Sequence, residues 1–405
     1  MGQLDFKACV DLAVRRSPGL THSALEIEIR RLDESDAKWS YVPPVSMQST
    51  YFLTGPEKTD LNTLHTMVFN VGPYNPVMTY FSVKATRLLR QVAVLKHLQT
   101  IAEGLYSLGQ QFLELEALDK TAAAQAEIAA VTKDKVRYDH EREKLGRETP
   151  LQTQISAQEA AVVEAESDNL AAQRLARLDF IKAFLRLETL QPEDLKLKEA
   201  KDQILGRFDP SAATWEQVKA NSYEMQALEL TARLQDLNVY SSYAKFMPNF
   251  NLGLKNPDPI STTSNRQEYY AYIGIDFNIW NSFKDVHNVS RQKAISRQFE
   301  SKGEVKKEDL NTQWLLAQRR FRAAAAGLKL ARGQEDLTRL QVRQAEIAHQ
   351  TSLPLPAVLT ARVNHLVARK KGIAAGLEYD LAVLNLRHLT GDLMKSHVKV
   401  APWRE

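Results

Sequence analysis

Leu145-Gly146-Arg147-Glu148-Thr149-Pro150 is a short break between two long stretches of helical sequence, and the fold is read outward from it. From Val77 up to this break the chain contains no proline. At 1.5 Å per residue, a helix of that extent would be on the order of 100 Å long. Helices in compact domains seldom pass about 20 residues, so a coiled coil or a helical tube is expected. The same pattern returns later. Lys284 to Gln350 is again free of proline and ends at Thr351-Ser352-Leu353-Pro354-Leu355-Pro356. Two helical hairpins of matching reach are therefore predicted.

The first long run carries a heptad. Val94, Leu98, Ile101, Leu105, Leu108, Phe112 and Leu115 step by four and three, which averages 3.5 residues and marks a left-handed seam. Leu88, Leu95, Ala102, Tyr106 and Leu113 form a neighbouring stripe. A helix with two apolar stripes packs against a partner on each side, which suits a wall of helices. In the second run Leu310, Trp314, Ala317, Phe321, Ala324, Leu328 and Ala331 repeat the stepping. The return helices are read at Leu151–Leu187 and Ala357–Leu389, the second stopping at Thr390-Gly391.

Ahead of each hairpin lies a shorter helix and a pair of strands. Residues 4–40 have a helical period with a break at Ser17-Pro18-Gly19, and Pro43-Pro44 ends it. Val45 to Phe52 and Thr66 to Val71, which includes Phe69, are rich in strand formers, and Gly72-Pro73-Tyr74-Asn75-Pro76 reads as a turn. Asn249 to Leu254 alternates, with Phe250 and Leu252 on one face. Tyr269 to Trp280 also alternates. Ala271, Ile273, Ile275, Phe277 and Ile279 make an apolar face opposite Tyr270, Tyr272, Gly274 and Asp276. One oily and one wet face fit a soluble sandwich or a membrane barrel.

Landmarks recur at nearly one spacing. Ala24-Leu25-Glu26 and Ala227-Leu228-Glu229 lie 203 residues apart, Pro44 and Pro248 lie 204 apart, and Gly146 and Thr351 lie 205 apart. An internal duplication is expected, with a first repeat over 4–190, a polar connector over 191–212, a second repeat over 213–394 and a tail over 395–405. The tail from Asp392 onward is expected to be partly disordered.

The single cysteine, Cys9, excludes an intrachain disulfide framework and reads as a small core residue. No 18-residue apolar stretch is present, so no transmembrane helix is predicted; that leaves a β-barrel open. A net charge of +4 spread along 405 residues does not argue for nucleic acid. No phosphate-binding glycine loop, nucleophile elbow or metal-binding histidine pair occurs, so no catalytic residue, metal ligand or cofactor is expected. Met1-Gly2-Gln3-Leu4 carries no signal peptide. A cytoplasmic protein, or one whose signal has been removed, is expected.

Two copies of helix, strand, loop, strand, long helix, sharp tip and helix back resemble the TolC-type outer-membrane efflux proteins over residues 4–394. The local matches are Ser17-Pro18-Gly19-Leu20 and Ser222-Tyr223-Glu224-Met225 early in each repeat and Pro44 and Pro248 before the strands. Later come Phe277-Asn278-Ile279-Trp280-Asn281 at the end of the last strand and His388-Leu389-Thr390-Gly391 at the repeat end. The resemblance implies a mainly α fold with a small β part. Long coiled-coil hairpins would form a periplasmic tube, and four strands per chain would enter a trimeric twelve-stranded transmembrane barrel. Val45, Phe52, Phe69, Phe250, Leu252, Ile273, Ile275 and Phe277 would lie in barrel strands.

It further implies a passive duct of a tripartite efflux or type I secretion system in the outer membrane. Its partners would be a periplasmic adaptor, an inner-membrane transporter and membrane lipid. Adaptor-docking tips fall at Leu145, Gly146, Arg147, Glu148 and Thr149, and at Gln350, Thr351, Ser352 and Leu353. The entrance constriction falls at Ala357 and Thr360, where family members often carry two aspartates; neither position is acidic here. A periplasmic coiled-coil scaffold of the same fold that never inserts is the alternative.

Overall fold

The computed structural model describes residues 4–43, 45–51, 65–206, 208–255, 270–276, 283–350 and 354–398. The order helix, helix, strand, strand, long helix, shorter helix occurs twice. The first series is α1 (Phe6–Arg16), α2 (Pro18–Trp39), β1 (Val45–Tyr51), β2 (His65–Tyr74), α3 (Pro76–Lys144) and α4 (Pro150–Leu185). After α5 (Leu197–Leu205) the second series is α6 (Trp215–Asn221), α7 (Tyr223–Ala244), β3 (Asn249–Lys255), β4 (Tyr270–Asp276), α8 (Lys284–His349) and α9 (Leu355–Leu389). The chain closes with α10 (Asp392–His397). The long helices run for 69 and 66 residues. The fold is mainly α with a small β part, as expected.

The two series open alike. Asp5 caps α1 by accepting from the Ala8 amide, and Thr214 caps α6 in a reciprocal box with Gln217. Such caps satisfy amides that the first turn of a helix leaves without partners. In each series the short helix stops at a serine, Ser17 or Ser222, and the next begins directly behind it.

The chain divides into two compact units. The first holds Met1–His22, Leu98–Ser222 and Glu308–Glu405. Its core gathers Phe6, Leu108, Phe112, Leu115, Leu178, Ile181, Leu185, Ile204 and Leu384, all fully buried. Phe6 and Phe112 meet edge to face at 5.7 Å. Most of the heptad residues read from the first run lie here and are buried, from Leu98 to Leu115. Leu113 of the neighbouring stripe is buried as well, so α3 packs on two sides. Cys9 is buried in α1, and burial pushes its thiol up to about 12.

Two sequence expectations are corrected here. The stretch read as a polar connector contains α5, which buries Ala200 and Ile204 and packs on α1 and α9. Its apolar residues sit among lysines and acids at helical spacing, so composition masked the amphipathic period. The tail read as partly disordered from Asp392 begins with α10, which buries Leu393 and Met394 on α9, and its residues 399–405 lie outside the described residues. Arg387 fastens both helices. It is nearly fully buried, donates to the Gln203 and Ile204 carbonyls at the end of α5, and pairs with Asp392 at 2.6 Å. A cation on the last carbonyls of a helix satisfies acceptors that the helix itself cannot.

Two histidines of this unit are buried. His388 stacks on Tyr106 at 4.7 Å, and His397 lies edge-on to Phe6 at 5.1 Å. Burial lowers both below the ordinary 6.5. The unfolded chain therefore takes up these protons first as pH falls. Stability is full above about pH 6.5 and declines as pH drops from there toward the folded values. Asp380 works in the opposite sense: burial raises it, so its contribution declines as pH climbs from 3.8. The expected result is a denaturant midpoint that falls between pH 7 and pH 5, with a smaller fall in His388→Asn and His397→Gln. Equal falls in parent and variants would contradict the assignment.

The second unit holds Ser23–His97 and Tyr223–Lys307. Its helices pack through Val92, Leu95 and Ala227, and buried Glu34 pairs with Lys38 and Arg90. It also contains the antiparallel sheet, in the order β1-β2-β3-β4. β2 runs three residues beyond the sequence-read end at Val71, through the stretch read as a turn, and its register shifts between Val71 and Tyr74. Pro73 sits at this irregularity, where a missing amide is tolerated. Asn75 then starts α3 by accepting from the Val77 and Met78 amides at 3.1 Å.

Candidate functional site: the strand sheet and the hairpin tips

The four strands form one sheet through β1·β2, β2·β3 and β3·β4 pairing. The β2·β3 pair joins the two halves of the chain. β1 and β4 are edge strands with no further partner among the described residues, and four strands are too few to close on themselves.

The register fixes the faces. Phe250 stands opposite Ile275 and Leu252 opposite Ile273. Val71 stands opposite both Leu252 and Val45, and Phe69 opposite both Leu254 and Met47. These positions share one face. Its described side chains are open to solvent: Val45 is 70% exposed, Leu252 51% and Ile273 74%. Phe250 and Ile275 are exposed as well. The other face carries Asn251, Gly253, Tyr272 and Asp276, with Asn251 donating to Asp276. A Cβ on Gly253 would overlap the Tyr272 ring, so glycine lets that ring lie across the strand. The apolar face read from β4 is therefore real, and it faces outward, not into a core. Phe52 and Phe277 lie outside the described residues.

The first tip is built by local backbone chemistry. The Gly146 amide donates to the Glu143 carbonyl and the Arg147 amide to the Arg142 carbonyl, a Schellman closure of α3. It requires a left-handed residue, and Gly146 has φ +69°. Thr149 then caps α4 by accepting from the Gln152 amide, and Pro150 takes the first helical position. Arg142 ties the turn across, donating to the Arg147 carbonyl at 3.1 Å and lying 3.6 Å from Glu148. Leu145 is left exposed at the apex. Below the tip, buried Ser156 donates to buried Asp139, joining α4 to α3.

Gly146→Ala places a side chain in the left-handed region, with a cost of about 1–2 kcal/mol. Gly146→Pro also removes the amide that closes the helix and cannot reach φ +69°. The expected result is a lower thermal midpoint for Gly146→Pro than for Gly146→Ala, with strand pairing unaffected by circular dichroism. Equal midpoints for both variants would contradict this account of the turn.

The second tip is less fully described, since Thr351, Ser352 and Leu353 lie outside the described residues. Gln350 ends α8 through its amide bond to Ile347. Arg362 on α9 clamps Glu346 on α8 through two nitrogens, at 2.7 and 3.2 Å. Ala357 is half-buried, and Thr360 is exposed and donates to the Pro356 carbonyl at 2.8 Å. Thr360 also borders a groove of about 560 Å³ together with Lys135 of α3 and Ile155, Glu159 and Val162 of α4. The fold thus brings Thr360 beside the first hairpin. Ala357 does not line that groove. Sequence reading missed this groove, because α9, which completes it, is far in the chain from the hairpin of α3 and α4.

Two exposed stripes were also missed. On α8, Leu330, Leu337, Leu340 and Ile347 are all more than half exposed, with Ala326 and Gly333 continuing the stripe. On α4, Leu151, Ile155, Val162, Leu175 and Phe180 are exposed. Parts of the two helices also differ in charge. Residues 151–173 of α4 carry Glu159, Glu164, Glu166 and Asp168 and no lysine or arginine. Residues 310–334 of α8 carry Arg319, Arg320, Arg322, Lys329 and Arg332 and no acid.

No group of acids, histidines or cysteines among the described residues is placed to hold a metal ion. No described helix is long and apolar enough to cross a membrane.

No family model matches the sequence, and no curated protein matches it. Solved structures do match. A membrane protein from Pseudomonas aeruginosa is 12% identical with a TM-score of 0.78, covering 96% of this chain and 91% of that one. The outer membrane protein VceC from Vibrio cholerae is 13% identical at 0.76, covering 95% and 96%. The Campylobacter jejuni CmeC outer membrane channel is 12% identical at 0.78, covering 96% and 86%. At these identities the likeness is one of fold, and it extends over nearly the whole chain.

Proposed function

We propose that this chain, which has the fold of outer-membrane channels, is a member of the TolC-type efflux family and one subunit of a trimeric export duct. The observation that carries this reading is the sheet. Four strands that cannot close, with an exposed apolar face and a polar opposite face, match one third of a membrane barrel. In a bilayer the apolar face meets lipid, the polar face lines water, and strands of neighbouring subunits pair with β1 and β4.

The helices support the same assembly. The apolar stripes of α4 and α8 are both exposed in the single chain, so identical subunits can join head to tail, α4 of one on α8 of the next. Such a heterologous contact gives a ring when the rotation between subunits closes, as three copies would require here. The duct performs no chemical step; an inner-membrane transporter would supply energy through a periplasmic adaptor. The tips at Leu145–Thr149 and Gln350–Leu353 are the proposed docking points. Ala357 and Thr360 are the proposed entrance, uncharged at the two positions where family members often carry aspartates.

The test is the state of the protein in extracted outer membrane. A trimer that runs compactly in detergent and shifts to monomer on heating is expected. Recovery as a periplasmic species with no membrane fraction would replace the duct by a non-inserting scaffold.

A further inference from the structure

The second unit carries an aromatic cluster that neither the sheet nor the tips explain. Tyr80 and Phe81 open α3, and their rings meet at 5.5 Å. Phe81 stacks on Tyr240 of α7 at 6.5 Å and 10°. Tyr243 follows Tyr240 by one turn. A lysine stands over each end of the cluster: Lys84 Nζ lies 4.5 Å from the Tyr80 ring, and Lys293 Nζ of α8 lies 5.5 Å from the Tyr243 ring. Tyr80, Tyr240 and Tyr243 are exposed, an arrangement that a core would not leave.

The cluster sits where helices meet strands. Tyr80 is six residues after β2, Tyr243 is six residues before β3, and Lys293 is in the third turn of α8. Trp39 at the end of α2, Phe246 before β3 and Phe283 before α8 add exposed aromatics at the same kind of junction. The helices leaving the sheet are also basic. Residues 76–102 carry Lys84, Arg87, Arg90 and Lys96 with no acid. That is +4 in one short segment, the net charge of the whole chain. Residues 284–299 carry Lys284, Arg291, Lys293 and Arg297 against Asp285 alone. Neither Lys84 nor Lys293 pairs with a carboxylate among the described residues.

Rings with an apolar body and a polar tip collect at the headgroup level of a membrane. Lysines beside such rings can turn their ammonium groups to lipid phosphates at the same level. We propose that the Tyr80-Phe81-Tyr240-Tyr243 cluster with Lys84 and Lys293 binds the headgroups of anionic phospholipids in the leaflet bordering the helix–strand junctions. The proposal rests on the channel reading, since it places the junctions at a membrane surface.

The test uses the purified full chain, with phosphatidylglycerol or phosphatidylcholine added to the detergent micelle and bound lipid counted by native mass spectrometry. Phosphatidylglycerol is expected to be retained in preference, and about 1 M salt is expected to erase the preference. At about 1 kcal/mol per lysine, Lys84→Gln with Lys293→Gln should weaken phosphatidylglycerol binding about 25-fold. Lys84→Arg with Lys293→Arg should restore it. Both substituted sites are exposed, so folding is unaffected, which insertion into phosphatidylcholine vesicles checks. A protein that inserts but shows no lipid preference, or a glutamine variant that keeps one, overturns the proposal, leaves the channel reading intact and assigns the patch to protein contact. Failure to insert in vesicles of either lipid overturns both.

Discussion

Ile273→Arg is expected to keep the chain out of the membrane. Ile273 is the most exposed described apolar residue of the sheet and stands opposite Leu252, in the middle of the β3·β4 pairing. An arginine on the lipid face of a barrel costs about 2–4 kcal/mol near the bilayer midplane. A trimer repeats that three times, for a total of roughly 6–12 kcal/mol. Marginal folding free energies are of the same order, so insertion should fail outright. Tyr272, one residue earlier, projects to the opposite face, against Gly253. Tyr272→Lys should therefore insert normally, because that face is assigned to water. Membrane fractionation of the two variants checks both. Equal loss in the two, or no loss in either, would contradict the assignment of faces.

The second large effect is expected at the α8 stripe. Leu337→Glu with Leu340→Glu puts two carboxylates in the middle of a surface proposed to be buried on a neighbouring subunit. Burying a carboxylate without a partner costs several kcal/mol, and here two would be buried together. The trimer should dissociate by analytical ultracentrifugation. Both leucines are solvent-exposed in the single chain, so its helical content should be unchanged. A trimer that survives both substitutions would remove α8 from the subunit interface.

Much of the helical architecture is legible in the chain, because it rests on local rules. The proline-free runs, the four-and-three stepping of Leu98 to Leu115 and the glycine at 146 each report a helix, a seam or a stop without reference to distant residues. The structure places α3 at Pro76–Lys144 and α8 at Lys284–His349, within a residue of the sequence reading. Strand faces were legible too, since alternation fixes them. Weak signals failed where tertiary context decided. α5 and α10 are short, and their few apolar residues are buried only because α1 and α9 receive them. Pro73 read as a turn because nothing local shows that a strand can continue through an irregularity beside β3.

The candidate site divides the same way. The Leu145–Thr149 turn follows from glycine, threonine and proline chemistry and was visible in sequence. The groove beside Thr360 and the exposure of the α4 and α8 stripes depend on which helices become neighbours, which periodicity does not encode. The exposed leucines of α8 also follow the heptad spacing of buried ones, so pattern alone cannot separate a core seam from a docking seam.

Planar-bilayer recording of the purified protein tests the central claim most directly. Addition of the detergent-solubilised protein should produce discrete, uniform conductance steps, and Ile273→Arg should abolish them. Protein that stays monomeric in the aqueous phase and never conducts would contradict the account.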